Sequence, residues 1–184
     1  FLPQFPSQDL DLTVRELVGR GRSPYLSRFT VTDSDNTKFE VDRAIKLVGL
    51  EELAERMLGS LSGGEAQRAW IAFALVRNPK ILMLDEPTSH LDISYQRDLM
   101  RLLKELCLDG LAVVIVLHDV SLALAYSDRV IGLDQGKIVF DGDVFNDPES
   151  AIQALSKLFR MNLVSIPSSM GRALVAPDWI NPED

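Results

Sequence analysis

The chain has 184 residues, of which 46% are hydrophobic and 25% charged, with a formal net charge of −8. That length supports one core with at most a small appended subdomain, and the acidic balance excludes broad nucleic-acid binding. The apolar runs are short and interrupted, well below the roughly 20 residues of a membrane-spanning helix.

The single cysteine, Cys107, excludes an internal disulfide, and its leucine-rich surroundings predict a core position. With no signal peptide visible, both features fit a reducing cytosol. The chain opens on Phe1 instead of Met, which reads as a truncated or processed start.

Residues 1–8 (FLPQFPSQ) read as a strand end and loop. Thr13-Val14-Arg15-Glu16 has the capping-box pattern and predicts a helix start. Residues 20–36 are rich in Gly, Ser, Pro, Asp and Asn and predict a loop. Val41, Ala44, Ile45 and Val48 follow helical spacing, and Leu53, Ala54, Met57 and Leu58 repeat it. Residues 9–60 therefore predict a small helical subdomain.

Beyond residue 62 the pattern changes. A helix over 64–77 leads to a strand over 80–85, a helix over 93–108 (Leu99, Leu102, Leu103, Leu106) and a strand over 112–117. Continuous apolar strands alternating with helices predict a parallel sheet covered on both faces. Runs 129–134 and 137–140 flank Gln135-Gly136 and predict a hairpin. Asp147-Pro148-Glu149 marks a helix start, and the tail from 162 holds two short strand-like runs.

Three patterns carry chemistry. Ser62-Gly63-Gly64-Glu65 is a capping box with two glycines inside it. Alone it would be a plain helix cap; with Leu61, Gln67 and Arg68 around it, it reads as an anion-binding turn at a positive helix end. Ile81-Leu82-Met83-Leu84 delivers Asp85 and Glu86 past a buried strand, where ligands of open parallel sheets bind. An aspartate there can hold Mg²⁺ through water, and the glutamate beside it can polarise an attacking water. His118 follows the second strand and falls beside Asp85 and Glu86 if the two strands are neighbours. His90 is the only other histidine and no thiolate pair accompanies them, which argues against a protein-held zinc.

Read in order, these motifs resemble the ABC-type ATPases from Gln4 to about residue 145. Gln4 matches the glutamine loop, Leu61–Gln67 the signature motif, Asp85 and Glu86 the Walker B end, Ser89–Asp92 the D-loop, and His118 the switch histidine. Many family members carry Gln where Glu65 stands, so its carboxylate must point away from phosphate or keep the capping role. Thr13–Val18 and the run Gly21-Arg22-Ser23-Pro24-Tyr25 look like the subfamily that imports iron-siderophores, haem and cobalamin.

The resemblance implies an α/β fold, an incomplete RecA-like P-loop NTPase parallel sheet with helices on both faces plus a small helical subdomain. It divides the chain into a glutamine loop and helical subdomain (1–60), the C-terminal part of the ATPase core (61–145) and a tail (146–184). It implies ATP and Mg²⁺ as ligands and a homodimer or second ATPase subunit as partner. Ser62, Gly63 and Gly64 would act in trans on the partner's nucleotide, and Asp92 would line the interface. Gln4 and Asp85 would serve Mg²⁺, and Glu86 and His118 would serve hydrolysis. An integral-membrane permease would dock its helix near residues 4–30, with a substrate-binding protein acting indirectly, and the subunit would lie at the cytoplasmic face of the membrane.

A Walker A loop, G-x-x-x-x-G-K-[ST], does not occur in this sequence; Gly136-Lys137 is followed by Ile138 and reads as the hairpin turn. The chain is therefore expected to be the C-terminal portion of an ABC ATPase, nearly inactive alone, with apolar surface exposed where strands are missing. A soluble ABC protein without a transporter and a non-catalytic assembly module are the competing readings.

Overall fold

The computed structural model describes residues 11–22, 34–143, 147–160, 162–166 and 174–177. Two compact units divide the chain, Phe1–Val116 and Leu117–Asp184. The expected strand end and loop over residues 1–8 lie outside the described residues, as does most of the expected loop over 20–36.

The first unit opens with α1 (Val14–Arg20), and its start is the predicted capping box: the Thr13 side chain accepts from the Glu16 amide, and the Thr13 amide donates to Glu16. Two further amides at this end, Val14 and Arg15, donate to the carbonyls of Arg56 (3.0 Å) and Ala54 (2.8 Å). These bonds explain one departure from expectation. The stretch carrying Leu53, Ala54, Met57 and Leu58 is not an α-helix but two 3₁₀ turns, Glu51–Leu53 and Leu58–Ser60, with Met57 exposed. Its carbonyls face the end of another helix, so they cannot close a ladder of their own.

Helix α2 (Ser34–Leu47) begins earlier than its apolar spacing indicated and buries Val41, Ala44 and Ile45. It stops at Gly49, whose φ of +67° lets the Leu50 amide turn back onto the Ile45 carbonyl at 3.1 Å. Arg15 pairs with Asp42 on α2 and with Glu55, tying three segments at the surface. Both carboxylates raise the Arg15 pKa, the Asp42 hydrogen bond most. Exposure keeps the worth of such pairs small.

Helix α3 (Gly63–Leu75) packs against α1 and α2 and buries Ala66, Ala69, Ile71 and Ala72. Strand β1 (Ile81–Asp85) follows, then α4 (Ile93–Leu108) as the crossover, then β2 (Ala112–Val116). β1 and β2 pair in parallel from Ile81 opposite Ala112 to Asp85 opposite Val116. α4 turns Leu99, Met100, Leu103 and Leu106 inward. Cys107, expected in the core, is half-buried. Among the described residues no helix is long and apolar enough to cross a membrane.

The β1–β2 pair is two-sided. Leu82 and Leu84 are buried, while Ile81 (60% exposed), Met83 (47%), Val114 (51%) and Val116 (50%) leave an apolar face open. Apolar surface is thus exposed, as one face of the pair and not as a strand edge.

In the second unit, α5 (Val120–Tyr126) went unanticipated, because its apolar residues run without helical spacing. The Asp119 carboxylate makes it a helix by accepting from the Ser121 and Leu122 amides at 2.7 and 3.1 Å. Strands β3 (Arg129–Asp134) and β4 (Lys137–Asp143) form the expected antiparallel hairpin. Gln135 and Gly136 turn it with φ of +47° and +76°, so the Gly-Lys pair is a hairpin corner. Arg129 grips Asp141 across the strands with two bonds of 2.6 and 2.7 Å. Helix α6 (Pro148–Phe159) starts at the predicted Asp147 cap, and β5 (Leu163–Ile166) pairs antiparallel with β6 (Leu174–Pro177). Leu124, Ala151, Leu155 and Leu163 form the core of this unit.

Burial predicts an asymmetric response along β1. In the 184-residue chain Leu82→Ala should cost about 2–5 kcal/mol, and Met83→Ala under about 1 kcal/mol. Urea unfolding of the two variants measures the difference; equal losses would contradict the open face.

Candidate functional site

The glycine turn and the paired carboxylates both lie in the first unit. Ser62 caps α3, its hydroxyl accepting from the Glu65 amide at 3.3 Å. Glu65 answers by accepting from the Ser62 amide at 2.7 Å and from its hydroxyl at 2.9 Å. The carboxylate therefore keeps the capping role, one of the two postures expected of an acid at this position. These bonds hold its pKa below the usual glutamate range, the Ser62 amide first, with Arg56 and Arg68 adding smaller effects.

Gly64 is buried under the ring of Tyr95, the third residue of α4. A Cβ at position 64 would stand 2.7 Å from Tyr95 Cδ1, so no side chain fits without displacing the ring. Gly63 is exposed, with Leu91 the nearest side chain. Gly64 thus lets the start of α4 pack against the start of α3, while Gly63 stays exposed.

Asp85 ends β1, half-buried, and Glu86 follows it, also half-buried. The Glu86 amide donates to the Val116 carbonyl at 3.1 Å and extends the parallel ladder one residue past the strand. Glu86 then turns sharply, with a φ of +44° that an ordinary side chain rarely adopts. The Ser89 amide closes this turn on the Glu86 carbonyl at 3.1 Å, and the Ser89 hydroxyl donates to Glu86 Oε2 at 3.0 Å. Pro87 and Thr88 are buried beneath. Asp92 caps α4 with its backbone alone; its exposed carboxylate makes no cap bond.

β1 and β2 are neighbours, the condition on which placing His118 beside the carboxylates depends. His118 itself belongs to the second unit, exposed two residues beyond β2 and next to the Asp119 cap. Gln4, Ser23, Pro24 and Tyr25 lie outside the described residues.

Two residues escaped the sequence reading. Tyr95 covers Gly64, and Gln96 donates from Nε2 to the carbonyls of Thr88 (3.2 Å) and Leu91 (3.0 Å). A signal for Gln96 was present: it occupies the inward stripe of α4, followed at helical spacing by Leu99, Met100 and Leu103.

Among the described residues no group of three or more His, Cys, Asp or Glu is placed to hold a metal ion. One carboxylate at a strand end suits Mg²⁺, which keeps most of its water and takes the rest of its shell from phosphates.

Two parallel strands, the first ending in an Asp-Glu pair, with a capped glycine turn at the start of a helix, fit an incomplete α/β core of the P-loop class. Residues 1–89 match the family described as ABC transporter. The petrobactin import ATP-binding protein FpuC of Bacillus anthracis is 44% identical over 77% of this chain and 52% of its own length. The ferric enterobactin transport ATP-binding protein FepC of Escherichia coli is 44% identical over 72% of this chain and 49% of its own. A solved inward-facing ABC transporter, assigned to the metal-chelate type, superposes with a TM-score of 0.84 at 28% identity, covering 96% of this chain and 70% of that one. The chain belongs to the ABC transporter ATP-binding family, and it spans about half the length of the curated relatives it matches.

Two outcomes test the turn. Gly64→Ala should destabilise by about 1–3 kcal/mol through the clash with Tyr95. Adding Tyr95→Ala should cost less than the sum of the two single changes, as measured by chemical unfolding. The second outcome concerns pH. Glu65 has a lowered pKa in the fold, so its stabilisation is present above the ordinary glutamate range and disappears as pH falls through the lowered value. Glu65→Gln should therefore narrow the stability gap between neutral and acid pH in a urea titration.

Proposed function

We propose that this chain is part of an ATP-hydrolysing, energy-coupling subunit of an importer for iron-siderophore, haem or cobalamin. The observation that carries this is the Asp85-Glu86 pair at the carboxyl end of β1, with Glu86 pinned to β2 and bound by Ser89. The import ATP-binding proteins among its relatives support the transport reading.

In this reading Glu86 is the general base. It accepts a proton from the water that attacks the terminal phosphorus of ATP; the new P–O bond forms as the bond to the ADP oxygen breaks, leaving ADP and phosphate. Asp85 and Gln4 would hold Mg²⁺, and the ion, when bound, would neutralise charge on the phosphate oxygens. His118 hydrogen-bonds the terminal phosphate and orients the water.

Ser62, Gly63 and Gly64 present the amides of α3 to the nucleotide held by a second ATPase subunit, and Asp92 lines that interface. The helical subdomain, residues 1–60, meets the permease, and a substrate-binding protein acts through it. The assembly sits at the cytoplasmic face of the membrane. Because no Gly-Lys-Ser/Thr loop occurs in this sequence, the 184-residue chain alone should bind Mg-ATP no better than millimolar and turn it over near background.

The test uses the full-length protein reconstituted with its permease. Glu86→Gln should lower Mg-ATP turnover by about 100-fold or more while ATP binding persists. Undiminished turnover would remove Glu86 from the chemistry. Uptake of a ferric siderophore, haem or cobalamin into vesicles then assigns the cargo.

A further inference from the structure

We propose that Gln96 is a positioning residue for hydrolysis, acting through Ser89 on the Glu86 carboxylate; the proposal rests on the reading of Glu86 as general base. The segment from Glu86 to Leu91 contains two non-glycine residues in the left-handed region, Glu86 (φ +44°) and His90 (φ +65°). Backbone of this kind persists only where its surroundings hold it firmly. The holding bonds are identifiable. Gln96, in the first turn of α4, donates from one amide nitrogen to the carbonyls of Thr88 and Leu91, at 3.2 and 3.0 Å. Those carbonyls bracket Ser89 and His90. Within the bracket the Leu91 amide closes on the Thr88 carbonyl at 3.3 Å. Ser89 in turn binds Glu86 twice, hydroxyl to Oε2 at 3.0 Å and amide to carbonyl at 3.1 Å.

The chemistry of Gln96 suits this role. Both partners are carbonyl oxygens, so only the NH₂ end of the side chain can face them, and both of its protons are used. The residue stands on the inward stripe of α4, half-buried, where its neighbours at helical spacing are Leu99 and Met100. An apolar side chain would pack there without holding the turn. The Gln96 amide is the bridge by which the rigid helix fixes Ser89, and Ser89 fixes the carboxylate. Thr88, buried at 8% exposure, anchors the middle of this path.

Full-length protein reconstituted with its permease provides the assay. Gln96→Met keeps the length and removes both donors. It should lower kcat about 10- to 100-fold, the range that a small misplacement of a reacting group produces, with KM for Mg-ATP within about twofold. Ser89→Ala should lower kcat in the same way, and the double variant should lose no more than the worse single one, because both act along one path. Gln96→Glu turns an acceptor toward two carbonyls. Its deficit relative to the parent should be deepest at neutral pH and shrink toward acid pH, where the carboxyl regains a proton to donate.

An unchanged kcat in Gln96→Met, with Glu86→Gln inactive, would overturn the positioning role and leave the general base standing. A KM that rises in step with the fall in kcat would also overturn it, as would fully additive losses in the double variant. Turnover surviving in Glu86→Gln would overturn the reading beneath it. Should Gln96→Met fail to fold, Ser89→Ala and Gln96→Glu decide the matter by the same measures.

Discussion

The hydrogen bond from the Glu86 amide to the Val116 carbonyl is the constraint on which the candidate site depends. It is the last rung of the parallel β1–β2 ladder, formed after the regular strand has ended. A parallel ladder sets both strands running the same way, so their carboxyl ends emerge together. The added rung holds the first residue beyond β1 to that end and forces the chain to turn there. Everything that follows (the buried Pro87 and Thr88, the Ser89 bonds, the Asp92 start of α4) is built on a point fixed by β2.

The same economy governs the helix starts of the first unit. A helix leaves its first amides without partners. At α1 the Thr13–Glu16 box satisfies some, and the carbonyls of Ala54 and Arg56 satisfy others. At α3 the Ser62–Glu65 box supplies the local bonds. One helix start is therefore closed by the backbone of another segment, and the other by its own capping box with Tyr95 packed over Gly64.

Tyr95 and Gln96 give the start of α4 a double function. Consecutive residues on a helix point in different directions, so Tyr95 covers Gly64 while Gln96 reaches back to Thr88 and Leu91. The glycine turn and the carboxylate turn are held by one helical turn.

Much of this was legible in the residues. The two capping boxes, the apolar strands ending in Asp85 and before His118, the inward stripe of α4 and the Gln135-Gly136 corner are local patterns, and local chemistry decides them. The stretch from Leu53 to Leu58 and the helix α5 were not legible. The first shows helical spacing but its carbonyls face α1, and the second lacks helical spacing but is capped by Asp119. In both, partners outside the apolar pattern decide the backbone.

By itself the sequence determined the kind of site: an acid pair at a strand end, a capped glycine turn, and the family to which such motifs belong. The tertiary structure decided which groups hold that site in place. The role of Gly64 depends on Tyr95, 31 positions later by their residue numbers, and the posture of Glu86 depends on Val116, Ser89 and the reach of Gln96. Residue type and spacing report what a segment can do alone. Which side chain covers a glycine, and which carbonyl receives an amide, follows only once the segments are packed together.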